Sequence, residues 1–288
     1  MLMLIVLSAC KRSDLEAKIP AYLSIPDFDL ETNYTTEGSA HSKFTTAWVF
    51  YNNEAIGAFE VPCTIPIIPV EGEASLLIYP GVSMNGIDAT RSIYVPCAPY
   101  ESNVTLTELD TFYANPQTTL NPNTQYYDAA TVIIVEDFDG SGINLEPTTG
   151  SDTSVIIVND PANTFDFPGE DNGNSGLLTV TNDSAKVEIK SSDSYTLPRG
   201  KDVYVEMTYK SNNSLVVGVI ANETVAVARS TVLLKSTDNE WNKIYINLIG
   251  EIGLSNQGTS FNLLMGTLKD DGVDTAKIYL DNLKLVYR

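Results

Sequence analysis

Apolar and polar residues alternate along most of the chain in short runs that end at Gly, Pro, Asn or Asp, the period-two signature of half-buried strands. Thr46-Ala47-Trp48-Val49-Phe50-Tyr51 is aromatic and β-branched, Asn52-Asn53-Glu54 breaks it, and Ala55 to Glu60 returns as the second strand of a hairpin. Pro62, Pro66 and Pro69 keep the next stretch out of a central strand and predict an edge or a loop. Ala74 to Tyr79 forms a further strand before Pro80-Gly81, and Tyr100 to Leu109 offers one more. The second half opens on the continuous apolar run Thr131 to Val135. Strands are then predicted at 177–181, 185–190, 203–210, 215–221, 225–234, 243–249, 261–268 and 277–287. Turn signals recur between them about every eight to twelve residues, which predicts an all-β sandwich rather than a helical or α/β domain.

Two of these strands carry more than their existence. In Val203 to Lys210, Val203, Val205, Met207 and Tyr209 share one face, while Tyr204, Glu206, Thr208 and Lys210 share the other. In the last strand Ile278 and Leu280 have one parity, and Leu283, Leu285 and Tyr287 have the other. Both sets reach one core only if an extra residue intervenes, so a bulge is expected at Asp281-Asn282.

The start of the chain has a different pattern. An apolar run from Met1 ends in Leu7-Ser8-Ala9-Cys10, which resembles the lipobox of bacterial lipoprotein signals, although no Lys or Arg precedes it. That resemblance implies lipidation of Cys10 and, with Lys rather than Asp at position 11, an outer-membrane destination. The passages "NNEAIGAFEVP" and "ASLLIYPG" are similar to immunoglobulin-like or PEGA-type sandwiches of bacterial surface proteins. "VEDFDG", "VYVEMTYK", "EWNKIYINL" and "KIYLDNLKL" are similar, in order and spacing, to jelly rolls of the carbohydrate-binding-module kind. The expected organisation is a lipoprotein signal at 1–10 and a tether at 11–18. An immunoglobulin-like β-sandwich follows at 19–114, then a Pro/Asn/Thr-rich linker at 115–130 and a jelly-roll β-sandwich at 131–288.

Composition narrows the partners. The 288 residues carry a net charge of −20, which argues against nucleic acid, since phosphate binding needs Lys and Arg to displace counterions. The same charge disfavours an acidic membrane surface, so contact with the membrane is expected through the lipid anchor alone. Cys63 and Cys97 sit in echoing Val-Pro-Cys contexts, and an exported protein meets oxidising conditions. A disulfide between them is expected, with two free thiols as the alternative.

Catalytic patterns are missing from the sequence. His41 is the single histidine and lies among Ser and Thr, where a solvated loop residue is expected. There is no Gly-x-Ser-x-Gly elbow, no His-Glu-x-x-His and no Walker loop, so the chain is expected not to be an enzyme. Calcium is the best inorganic candidate, because it takes oxygen ligands of the kind found near strand ends. In related jelly rolls a structural calcium joins the first strand to the last, and the matching positions here are Glu136, Asp137 and Asp281. For a glycan, the open face with Tyr204 and Glu206, together with Trp241, supplies a ring for stacking and polar neighbours for hydroxyls. The expected function is therefore a lipid-anchored envelope protein that binds glycan through its jelly roll. The alternative is a structural or assembly subunit that docks an outer-membrane protein partner.

Overall fold

A computed structural model describes residues 17–170, 173–183 and 185–288. Cys10 and the first part of the expected tether lie outside the described residues. The fold is all-β and has two hydrophobic cores.

The first ten strands are β1 (Ala21–Ile25), β2 (Asp29–Glu31), β3 (Thr46–Tyr51), β4 (Glu54–Glu60), β5 (Cys63–Ile67), β6 (Ala74–Ser83), β7 (Arg91–Ile93), β8 (Tyr100–Val104), β9 (Thr111–Tyr113) and β10 (Asn123–Gln125). They form a β5-β1-β9 sheet, a β10-β2 pair, and a β4-β3-β6-β7 sheet in which β8 also pairs with β6. The β3–β4 hairpin turns at Asn52 and Asn53, both at positive φ, where asparagine is among the best-tolerated side-chain-bearing residues. Proline-bearing β5 lies at a sheet edge, where its missing N–H costs no ladder bond. Strand β6 runs through Pro80-Gly81 to Ser83 instead of stopping there. A Cβ at Gly81 would come within 2.8 Å of Trp48 Nε1, so this close crossing needs glycine.

The segment expected as a linker is built into this first unit. β10 pairs in parallel with β2, Cys97 bridges to Tyr126, and Thr124 and Tyr126 are buried. Its composition is that of a spacer, but Tyr126 joins the core and Thr124 is buried with its hydroxyl donating to Ala98 O.

The second half supplies β11 (Thr131–Glu136), β12 (Leu145–Pro147), β13 (Ile156–Val158), β14 (Ser175–Val180), β15 (Lys186–Ser191), β16 (Tyr195–Thr196), β17 (Val203–Ser211), β18 (Leu215–Asn222), β19 (Val227–Leu234), β20 (Asn242–Asn247), β21 (Ser260–Leu268) and β22 (Ala276–Tyr287). Two six-stranded sheets result. One runs β13-β14-β22-β17-β20 with β11 also on β22; the other runs β12-β15-β21-β18-β19 with β16 on β21. Val203, Val205, Met207 and Tyr209 of β17 face the core between them, as their parity predicts. Each fully buried aliphatic side chain in such a core contributes about 1.5–3 kcal/mol.

β22 organises this sandwich. Its first half, 276–280, pairs with β14, and its second half, 283–287, pairs with β11 on the same side. Against β17, Glu206 pairs with Lys284 and Thr208 with Asp281, so β22 has one residue more than its partner. Asn282 takes φ 49°, and Ile278, Leu280, Leu283 and Leu285 all enter one core. The expected bulge lies where β14 gives way to β11.

Candidate functional site

The outward face of β17 is not open. Tyr204, Glu206 and Thr208 are fully buried, because the first sandwich packs on this face and its core incorporates Tyr204, Tyr245 and Val286. A glycan surface on Tyr204 and Glu206 is therefore ruled out by packing. Sequence alternation identified the face correctly but could not show what covers it.

Glu206 is the centre of this seam. Tyr94 donates its hydroxyl to Oε1 at 2.5 Å, Tyr126 donates to the same atom at 2.8 Å, and Lys243 Nζ stands 2.8 Å from Oε2. Burial alone would raise the carboxyl's pKa, but the charges of Lys243 and Lys284 outweigh it and hold Glu206 below the usual carboxylate range. Lys284 donates to the carbonyl of Ser39 at 2.6 Å, and burial lowers its own pKa to about 8. Gly38 admits that lysine: it adopts φ 69°, and a Cβ there would come within 3.0 Å of Lys284 Cε.

His41 belongs to the same seam and is not a solvated loop residue. Its Nδ1 is 3.0 Å from Thr208 Oγ1, and its ring lies 4.5 Å from that of Phe165. Burial, with Lys243 next, lowers its pKa to about 3, which leaves the imidazole neutral. Nearby, Lys210 Nζ lies over the rings of Trp241 and Tyr279, at 5.6 and 4.9 Å, and donates to Ala162 O.

The calcium candidates are not gathered into a ligand set. Glu136 accepts from the amides of Phe138 and Asn144, one on each oxygen. Asp281 accepts from the amide of Asn282 and the hydroxyl of Ser175. Among the described residues no three His, Cys, Asp or Glu side chains are placed to hold a metal. Asp281 instead caps the bulge. Burial, against those two hydrogen bonds, raises its pKa to about 8.

The disulfide is also corrected: Cys63 and Cys97 are both free. Cys63 stands opposite Ile25 at the start of β5, whereas Cys97 is buried opposite Tyr126, in a different part of the unit. The matching Val-Pro-Cys contexts do not bring the two sulfurs together.

Trp241 is the ligand candidate that remains accessible. It is half-buried and lines a hollow of about 720 Å3 where β19 passes to β20, with Tyr209, Asp238, Glu240 and Asn242. The opposite wall is the turn Asn85-Gly86-Ile87 of the first sandwich. That turn is pinned by the amide of Asn247, which donates to Asn85 Oδ1 at 2.9 Å. Asn85 and Gly86 both have positive φ, so the Asn-Gly signal was legible as a turn. Its position against β20 was not, because tertiary packing sets it.

No family model matches the chain, and no curated protein matches it. Solved structures do show similarity to part of it. A family 29 carbohydrate-binding module from Piromyces equi is 14% identical, with 56% of this chain and 92% of that one covered and a TM-score of 0.36. A mutant family 29 module complexed with cellulohexaose is 10% identical, covering 56% and 93% with a TM-score of 0.33. Another mutant, complexed with mannohexaose, is 11% identical, covering 55% and 92% at the same TM-score.

Proposed function

We propose that this protein is a non-catalytic, carbohydrate-binding protein of the cell envelope, held at the outer membrane by lipid on Cys10. The observation that carries the reading is the hollow beside Trp241. A partly buried indole stands among carboxylate, amide and hydroxyl groups, including Asp238, Glu240, Asn242 and Asn85. Pyranose rings present apolar C–H faces and hydroxyl edges, and this combination of one ring with many short polar side chains complements both.

The test is a glycan array probed with the soluble body of the protein, followed by titration of any hit against Trp241→Ala. Binding should weaken at least about tenfold, equivalent to about 1.4 kcal/mol, in Trp241→Ala protein whose cooperative melting curve shows that it is folded. An array without a hit, or a hit indifferent to Trp241→Ala, would sink the reading. One feature favours the assembly-subunit alternative: edge strand β19 presents Val227 and Leu233 to solvent, with Val225 exposed just before it.

A further inference from the structure

Two more hollows continue the one at Trp241 along the seam between the sandwiches. A small one of about 120 Å3 shares Gly86, Asn242 and Ile244 with the first. A third, of about 410 Å3, shares Lys43, Thr45, Ser83 and Asp88 with the second. The shared lining residues set these three hollows in a row, and the row forms the candidate groove. It runs from Trp241 on the jelly roll, over the Lys43–Asn242 contact, to Glu60 and Arg91 on the first sandwich.

We infer that this groove binds a linear, uncharged oligosaccharide gripped by both sandwiches; the inference rests on the carbohydrate reading of Trp241. Its walls mix the two signs of charge. Lys43, Arg91 and Lys235 are set among Asp27, Glu60, Asp88, Asp238 and Glu240. Several of these groups already face one another: Lys43 Nζ donates to Asn242 Oδ1 at 2.6 Å, and Arg91 pairs with Glu60. Ser83 Oγ donates to Asp88 Oδ1 at 3.4 Å and lies 3.2 Å from Thr45 Oγ1. A polyanion would meet carboxylates all along this path on a chain of net charge −20. Neutral hydroxyls, by contrast, both donate to carboxylates and accept from ammonium and guanidinium groups.

The experiment is calorimetric titration of the soluble protein with dextrin, cello- and manno-oligosaccharides, each from disaccharide to hexasaccharide, with oligogalacturonides as the anionic control. Affinity should rise at least about tenfold with length for a neutral series, and the anionic series should bind more weakly. Asp88 lines the second and third hollows but not the one at Trp241, and it is exposed, so Asp88→Asn should keep the protein's melting temperature. This substitution should abolish the gain from length while leaving disaccharide affinity intact. Equal affinity at all lengths, or a length gain unaffected by Asp88→Asn, would overturn the continuous groove and leave the Trp241 site standing. Tighter binding of the oligogalacturonides would overturn the uncharged ligand. Failure of every series would overturn the carbohydrate reading, and the groove with it.

Discussion

Asp281 shows how one side chain can settle a register. The sequence places it at a parity break, and the fold uses its two oxygens on the Asn282 amide and the Ser175 hydroxyl; that hydroxyl in turn accepts the amide of Phe165. Its ionisation couples to stability with a definite sign. Burial raises its pKa to about 8 from an unfolded value of 3.8, so the folded protein holds a proton that the unfolded chain has released. This contribution is complete below about pH 4 and is lost as pH rises to about 8. The Asp281→Asn protein, which keeps an acceptor without a charge, should lose part of the decline in melting temperature between about pH 5 and pH 8. The parent's extra loss should exceed about 1.4 kcal/mol, the worth of one pKa unit. Thermal scans in which both proteins decline equally would remove Asp281 as the cause. Added calcium or chelator should leave the parent's curve in place, since among the described residues no three carboxylates are placed to share a cation.

At the scale of elements, alternation was a good guide wherever a strand has one face on its own sandwich core. The strands from β14 to β22 fall within a few residues of their predicted spans, with β16 missed. Strands β12, β13 and β16 are two or three residues long, too short for any period to register. What alternation could not reveal is the second partner of β17, because a polar residue such as Glu206 reads as solvent-facing whether water or another sheet lies beyond it. The burial of Glu206 makes it sensitive. Glu206→Ala leaves Lys243 and Lys284 as buried charges without their counterion and two tyrosine hydroxyls without an acceptor. A loss of about 3–5 kcal/mol is expected, measured by denaturant unfolding. Glu206→Gln should fall between, since it keeps an acceptor for Tyr94 and Tyr126. A Glu206→Ala protein as stable as the parent would show that the seam does not depend on this cluster.

For the whole molecule, the sequence indicated two sandwiches and a membrane anchor but placed a spacer between them. The spacer reading failed because Pro, Asn and Thr are common both in linkers and in short paired strands such as β10. The groove was equally hidden: its walls include the 42–45 segment, the 83–88 turn, Glu60 and Arg91, and the β19–β20 connection, and only packing brings them together. Fractionation tests the anchor. Cys10→Ala should move the protein from the membrane pellet to the soluble fraction, since stable anchoring needs more than one acyl chain and all of them would be lost. Retention of the unprocessed variant in the pellet would refute lipidation. The buried seam has one further consequence, for heredity rather than stability. Domains joined like beads can be exchanged by recombination at their linkers, each bringing its own finished surface. Here a crossover near residue 130 would separate Tyr94 and Tyr126 from Glu206 and leave a donor or recipient with an ionised, apolar-rimmed face. The two halves must therefore be inherited as a matched pair, and a functional graft would have to carry both.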